Sequence, residues 1–286
     1  MSTLSWLPYS LLATFLLGSS LVFYKLPSFK GHSRYVTTFC ANIASAILAF
    51  SFFYGYLGKT TSIMLAYAAA WGILFSLIVT LQMYALKHVD TNVLFPITTT
   101  SSLAITALSG LIIFHDHISS YQLLGIILVI FIVFFYTYEK KKFQYTRHLA
   151  LIGLGIIVIS IANKLIQKVA ANNFDVHAFQ VFEYIFAAVS SLTLILVFEK
   201  DSLKNSFNKG SLFTGVAIGT FGFFGGYFLF MALTRGPFSL VTSIHSLYVL
   251  VTATAGYMFF NEKLNRKRVF LILLALVALY LMSLSK

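Results

Sequence analysis

Charged residues are scarce in this sequence, and their scarcity excludes an ordinary soluble domain. Asp, Glu, Lys and Arg together make up 10% of the 286 residues, whereas hydrophobic residues make up 59% and the mean hydropathy is +0.87. A soluble domain has about 25% charged residues and about 45–50% apolar residues. The composition therefore indicates an integral membrane protein.

Cysteine and catalytic motifs are also nearly missing. Cys40 is the single cysteine, so no internal disulfide can form and no oxidising compartment is required. The first ten residues have no Lys or Arg and no clear cleavage site, so we interpret them as the start of a membrane span rather than a removable signal peptide. Metal-protease spacing and phosphate-binding loops do not occur, and His115-Asp116-His117 is more typical of an exposed turn. We predict no enzyme, no cofactor and no metal.

Long apolar runs are abundant. Ten runs of roughly 16 to 23 residues are long enough to cross a hydrocarbon core of about 30 Å as helices, with some tilt or local thinning. They cover approximately Leu4–Phe23, Tyr35–Leu57, Ile63–Leu86, Val93–Phe114, Gln122–Tyr138, Leu149–Val169, His177–Phe198, Ser211–Leu233, Ser239–Phe260 and Val269–Leu284. The predicted fold class is all-α integral membrane, with ten transmembrane helices.

The two halves of the chain, residues 1–143 and 144–286, follow one plan. Each half holds five of the apolar runs, and a shared pattern recurs at a shift of 146 positions. The pattern is Thr106-Ala107, Gly110, Phe114 and Asp116 in the first half, and Thr252-Ala253, Gly256, Phe260 and Glu262 in the second. Because each half has an odd number of spans, the second half enters the membrane in the opposite orientation to the first half. The sequence therefore predicts two inverted five-helix repeats, the architecture of many secondary transporters.

Positive charges are distributed unevenly between the predicted loops. Fifteen of the 20 Lys and Arg residues fall on one face of the membrane. The other face has Lys59, Lys164, Lys168, Arg235 and Lys286. By the positive-inside rule the richer face is cytoplasmic and both termini lie outside the cytoplasm. The pI of 9.7 then reflects topology and attraction to anionic lipid headgroups, and requires no nucleic acid.

A further signal comes from residues 17–25, the Ala-Leu pairs at 85–86 and 232–233, and the short turns at 114–119 and 260–265. Together with the ten runs, these segments resemble the drug/metabolite transporter superfamily, in its EamA-like branch. The family often has tryptophan where Leu17 stands and proline near Leu103 and Val249, and its members usually have cytoplasmic termini, against the charge count. The resemblance implies a central cavity lined by the first, third, fourth, sixth, eighth and ninth spans. The fifth and tenth spans would be peripheral.

Glu183 is the one acidic residue of eight that lies within a predicted span. A charge at the bilayer centre costs roughly 2.5 to 3.5 kcal/mol on insertion scales, so Glu183 needs a partner, a proton or water. Lys164 lies at a matching depth in the sixth span, so a structural ion pair with Glu183 is one interpretation. Proton coupling or substrate binding is the other. Lys164 could also bind an anionic group.

Polar clusters interrupt the fourth and ninth spans at matching places. Their hydroxyls can bond to the carbonyl four residues back, which would make them structural. His245 is the one histidine within a span, where an imidazole needs a partner or a wet cavity. The candidate substrate contacts from the two clusters are Thr99, Ser102, His245 and Tyr248. Three aromatic residues of the third and eighth spans could also face the cavity, although lipid packing explains most aromatic residues here. They are Trp71, Tyr84 and Tyr227.

Small residues form stripes on the third and eighth spans. The helix-packing candidates are Ala68, Gly72, Gly215, Gly219, Gly222 and Gly226. Such stripes allow helix backbones to approach closely, which is a common packing device in lipid. The functional alternative is a sliding surface between the two halves.

These features together predict a secondary transporter in the inner (plasma) membrane. We expect it to move small organic metabolites, amino-acid-like or drug-like, by alternating access, with protons as a candidate coupling ion. The alternatives are a lipid-carrier flippase and a non-transport accessory membrane subunit. The expected partners are the lipid bilayer and a small-molecule substrate, with no nucleic acid, and the expected state is a monomer or a weak homodimer.

Overall fold

The computed structural model describes residues 5–30, 33–85, 91–137, 147–199, 207–252, 254 and 266–284. These residues form α-helices and short connections, with no β-strand among them, so the all-α fold class is confirmed. The helices are α1 Leu7–Lys30, α2 Arg34–Phe53, α3 Ser62–Ala85, α4 Thr91–Ile112, α5 Ser120–Thr137, α6 Arg147–Asn173, α7 Val176–Phe198, α8 Lys209–Leu233, α9 Phe238–Ser246 and α10 Arg266–Ser283. A short 3₁₀ segment, Tyr54–Lys59, joins α2 to α3.

The helices have the length and surface expected in a bilayer. Within the described residues, five helical stretches are long and apolar enough to cross a membrane, and five further apolar helices are shorter. The five long stretches are Arg34–Lys59, Ser62–Gln82, Leu151–Asn173, Val176–Phe198 and Lys209–Leu233. Large apolar side chains lie on the outside of the bundle, including Phe15, Phe213 and Tyr280, which are 58%, 70% and 65% exposed. Lipid, rather than water, is the solvent that suits such a surface.

Side-chain caps define where several helices begin. The Asp175 carboxylate accepts hydrogen bonds from the backbone N–H groups of His177 and Ala178 at the start of α7. Ser33 and Asn208 cap α2 and α8 in the same way. These caps satisfy backbone donors that have no partner within their own helix. The starts of these three helices are therefore fixed by polar residues that precede the apolar runs.

Helices that are five places apart in the chain, such as α1 and α6, have equivalent neighbours in the structure. Helix α1 packs on α8 as α6 packs on α3, and α2 packs on α8 as α7 packs on α3. Three further pairs, α2 with α7, α4 with α9 and α5 with α10, each join equivalent helices. This pairing is what a duplicated chain is expected to make. The inversion of one half relative to the other stays a prediction.

Within the described residues, the ninth predicted span, Ser239–Phe260, is helical apart from a one-residue turn at Leu247, where α9 has ended at Ser246. The Leu247 N–H donates to the Ile244 carbonyl oxygen at 3.0 Å, and the Leu250 N–H donates to Leu247 at 2.9 Å. These bonds reach three residues back instead of four. The hydroxyls of Thr242, Ser243 and Ser246 each bond to the carbonyl four residues back. Such back-bonding weakens and bends helices. Helical residues resume at 248–252.

Candidate functional site

Glu183 lies inside the bundle, on the face of α7 that meets α3. It is 1% exposed, and within the described part of the chain neither of its carboxylate oxygens has a hydrogen-bond partner. A Cβ atom placed on Gly72 of α3 would lie 2.9 Å from the Glu183 carbonyl oxygen and 2.6 Å from the Ala187 nitrogen. The two helix backbones therefore touch beside the carboxyl group, which excludes a larger residue at position 72.

Further unpartnered polar groups surround this part of α7. Within the described residues, both amide atoms of Gln180 and the indole N–H of Trp71 have no hydrogen-bond partner. The Trp71 ring stacks on Phe75 at 4.7 Å and meets the Tyr184 ring edge-on at 6.0 Å between centroids. We call Glu183, Gln180, Trp71 and Tyr184 the Glu183 cluster. It offers a carboxyl, an amide and an indole N–H in a buried setting.

The backbone that carries Glu183 is held firmly one turn further along α7. The Ala187 carbonyl oxygen accepts hydrogen bonds from Asn42 of α2 at 3.1 Å and from Ser76 of α3 at 3.0 Å. The Ser191 hydroxyl donates to the same oxygen at 2.8 Å. Three helices are therefore tied at one carbonyl group. Glu183 is positioned by a rigid frame although its own side chain lacks a partner.

The interpretation that Glu183 forms an ion pair with Lys164 is wrong. The Lys164 ammonium is 3.4 Å from the Ser102 hydroxyl, and within the described part of the chain it lies within 4.0 Å of no carboxylate. Equal depth along two neighbouring helices did not bring the side chains together, because α6 faces α3 and α4 while α7 faces α2 and α3. The two charged groups therefore belong to different clusters.

Lys164 belongs to a cluster formed by α4, α6 and the residues around the break after α9. The Tyr248 hydroxyl lies 3.4 Å from the Thr99 hydroxyl, and the His245 and Tyr248 rings are 5.3 Å apart. His245 is close enough to Lys164 for their charges to interact, and its Nδ1 has no partner among the described residues. We call Lys164, Ser102, Thr99, His245 and Tyr248 the Lys164 cluster. Apart from Lys164 and the imidazole, its polar groups are neutral hydroxyls.

The other two aromatic candidates contact residues at the ends of other helices. Tyr84 is near the end of α3, where its ring centroid is 5.7 Å from the Arg34 guanidinium carbon. Tyr227 packs against Phe53 at 5.4 Å and against His177 at 5.9 Å, beside the turn that leads into α7. Neither residue adjoins the two polar clusters through these contacts.

The small-residue stripe of α8 has two kinds of position. Gly215 and Gly219 press against the α2 backbone, and the Cβ position of Gly226 is 2.6 Å from the Tyr184 hydroxyl oxygen. Among the described residues, a Cβ at Gly222 would meet nothing within 4 Å, so helix packing is the wrong role for that residue. On α3, Ala68 is fully buried. The open position at Gly222 has a carbonyl group that accepts a hydrogen bond from Tyr184.

Two buried polar residues were missed by the sequence analysis. Gln180 precedes Glu183 by three residues and therefore shares its helix face. Asn163 adjoins Lys164, and its side-chain oxygen has no partner among the described residues. The available signal in both cases was an amide within three residues of a charged residue inside a predicted span.

Residues 147–284 match the EamA-like transporter family. One solved structure, named only as the crystal structure of a protein, is similar over 98% of this chain and 96% of its own, with a TM-score of 0.78 and 11% sequence identity. At that identity the likeness shows a shared fold. No curated protein matches the sequence. Members of the matched family are multi-pass membrane transporters rather than enzymes. The match over residues 147–284 confirms the resemblance of the sequence to the drug/metabolite transporter superfamily, in its EamA-like branch.

Proposed function

We propose that the chain carries small organic metabolites, amino-acid-like or drug-like, across the cytoplasmic membrane by alternating access. Membership of a transporter family and the ten-helix fold support this function. The interrupted ninth helix also supports it, because transporter sites commonly lie where a helix is broken near the middle of the membrane. We further propose that the termini lie outside the cytoplasm and that the chain acts as a monomer or a weak homodimer.

The observation that carries the proposal is the unpaired carboxyl group of Glu183. An ionised carboxylate that is buried without a partner is costly, so an evolved chain keeps one only where it gains a proton, a cation or water during its working cycle. Helices α2, α3, α6 and α8 pack on α7, and their described residues give its oxygens no hydrogen bond. We infer that Glu183 exchanges a proton as the protein moves between its two open states.

Metabolite profiling tests the transport function. Medium and cytosol from cells that express the wild-type chain would be compared with those from cells carrying an empty vector. A soluble compound that moves between the two pools only with the wild-type chain is expected, and it would identify the substrate and the direction. Good expression in the membrane with no change in any soluble compound would contradict metabolite transport and favour a lipid-carrier flippase.

Glu183→Gln tests the role of the proton. The amide keeps the shape of the carboxyl group but cannot release a proton, so transport should lose its dependence on external pH. Glu199→Gln is the matched control, because it removes a carboxylate from the end of the same helix, and it should keep the pH dependence of the wild type. Equal pH dependence of wild type and Glu183→Gln would remove Glu183 from coupling while leaving transport in place.

A further inference from the structure

The two lysines of α6 have opposite surroundings although they lie one turn apart. The Lys168 ammonium donates to the carbonyl oxygens of Leu233 at 2.8 Å and Gly236 at 3.3 Å, at the end of α8. A cation at that position satisfies carbonyls that lack partners and complements the helix dipole. Asp116 is also near enough to Lys168 for their charges to interact. Lys168 therefore has a complete structural role.

In the part of the chain that the structure describes, Lys164 has no comparable partners. Its one hydrogen bond within the described residues is the 3.4 Å contact with Ser102, which is long for a hydrogen bond. An ammonium group can donate three hydrogen bonds, so at least two remain for another group. Lysine within a membrane span is costly unless something compensates its charge. The described part of the chain supplies no carboxylate for this purpose.

The equivalent position in the first half of the chain shows that helix packing does not require a lysine at position 164. The residue that corresponds to Lys164 at a shift of 146 is Gly18. A Cβ on Gly18 would lie 3.0 Å from the Tyr248 carbonyl oxygen and 2.7 Å from the Val251 Cβ, so α1 rests directly on the chain there. Ser102 in turn corresponds to Tyr248. In the first half, a glycine lets α1 pack directly on the chain near Tyr248. In the second half, a long cationic side chain lies at the equivalent place between α6 and α4.

We propose that the Lys164 cluster is a binding subsite for the oxyanion, a carboxylate or phosphate group, of a soluble organic substrate. The inference rests on the proposed transport function and names the chemistry that its substrate must carry. Lys164 supplies the positive charge. The hydroxyls of Ser102 and Tyr248 and the imidazole of His245 supply neutral groups that can donate hydrogen bonds to an oxyanion. The phenol ring of Tyr248 offers an apolar surface for the rest of the molecule.

The test uses the full-length chain in phosphatidylcholine nanodiscs and measures its thermal unfolding midpoint. The probes are benzoate, benzamide and inorganic phosphate, in a buffer without other oxyanions. Benzoate or phosphate should raise the midpoint of the wild type in a dose-dependent manner. Benzamide has the same ring without the charge and should not. In Lys164→Met the apparent affinity for the stabilising anion should fall about tenfold or more, the loss expected for a charge-assisted hydrogen bond.

Variants of the neighbouring lysines separate a site from a general effect of charge. Lys168→Met removes a charge one turn away and should lower the midpoint without ligand, but it should keep the response to benzoate. Lys164→Met should not lower the midpoint without ligand, because it removes a charge that lacks a partner. Lys59→Met, at an exposed position, gives a folded control if Lys168→Met is too unstable. Lys164→Gln provides a second neutral variant.

Three outcomes would overturn the inference. The first is that benzamide and benzoate stabilise the wild type equally, or that none of the three probes does. The second is that the response to the anion survives in both Lys164→Met and Lys164→Gln. The third is a Lys164-dependent gain with phosphatidylglycerol discs and none with benzoate or phosphate, which would assign the site to a lipid headgroup. Because the assay measures binding, transport with no anion response would refute the subsite alone.

Discussion

The crossing of α3 with α7 and the crossing of α8 with α2 are built in the same way in the two halves of the chain. Gly72 meets the backbone at Ala187, and Gly219 meets the backbone at Ala41. The two glycines are 147 positions apart and the two alanines are 146 apart. Only glycine leaves room for helix backbones to approach this closely, which is valuable where lipid provides no hydrophobic drive. Both halves therefore keep the same solution.

The crossings of α1 with α9 and of α6 with α4 are also equivalent, but they differ. Gly18 packs on the Tyr248 carbonyl, whereas Lys164 reaches Ser102 with a charged side chain. The difference teaches that the two halves have kept equivalent residues where backbones touch and have diverged where side chains meet in the polar interior. The residues that distinguish the halves are therefore the better guide to the chemistry of this transporter.

The largest effect is expected at the shared crossings. Gly219→Ala and Gly72→Ala should each lower the free energy of unfolding by about 1–3 kcal/mol or abolish folding, because the added methyl group meets backbone atoms that cannot move aside. Gly222→Ala is the matched control on the same helix as Gly219. It should leave stability unchanged or raise it by up to about 1 kcal/mol, since its Cβ position is open and alanine favours helix.

Unfolding midpoints in detergent, together with the amount of folded protein in the membrane, check this prediction. If Gly72→Ala were tolerated while Gly219→Ala was not, the two crossings would not be equivalent in their contribution to stability. Equal losses would show that the two crossings have the same energetic weight.

A smaller effect is expected at the acidic turn of the first half. The Asp116 carboxylate accepts a hydrogen bond from the Ser239 N–H at 2.7 Å, and so caps the start of α9 from another part of the chain. Asp116→Ala should cost about 1 kcal/mol of stability, the typical loss of a cap. Asp116→Asn should recover most of it, because an amide oxygen can accept the same bond.

Glu262 extends this test to the second half. It corresponds to Asp116 at a shift of 146 and lies outside the described residues. If the duplication includes the capping role, Glu262→Ala should destabilise the chain to a similar extent and Glu262→Gln should be milder. No change in the unfolding midpoint for Glu262→Ala would show that the two acidic turns have different functions.

The architecture could be predicted from the sequence because apolar length and periodicity decide it. The ten helices and the close approach at Gly219 follow from which residues lipid tolerates and which residues let helices touch, whereas the five-plus-five division stays a prediction. The polar cluster of the ninth span marks the place of the turn at Leu247, but the polar cluster of the fourth span lies in the continuous helix α4, so hydroxyls alone do not predict where a helix is interrupted.

The candidate site was less predictable, because the sequence does not give the rotation of a helix about its axis relative to its neighbours. Lys164 and Glu183 lie at similar depths, yet they face different helices. For the same reason Gly222 could not be distinguished from Gly219 by spacing alone, although one is open and the other is in contact. Contacts between side chains of distant segments, such as Thr99 with Tyr248, carry no local sequence signal.

The smallest effect is expected at the turn before α7, where the second half uses a charged cap and the first half uses Ser33. Partial burial opposes ionisation of Asp175, but the hydrogen bonds from Lys59 at 2.8 Å and from the Ala178 N–H outweigh it. The pKa of the Asp175 carboxyl is therefore held below its usual value of 3.8. Such a group stabilises the fold above the pKa of the unfolded chain and loses that contribution as the pH falls through the lower folded value.

Asp175→Asn tests this sign directly, because asparagine keeps the cap and removes the charge. At neutral pH the variant should unfold slightly below the wild type in temperature, by less than Asp116→Ala does, because Lys59 is exposed and its interaction with Asp175 is screened by solvent. The difference between variant and wild type should shrink below about pH 3.8 and vanish once the wild-type carboxyl is protonated. A difference that stayed constant across this range would show that the charge of Asp175 does not contribute to stability.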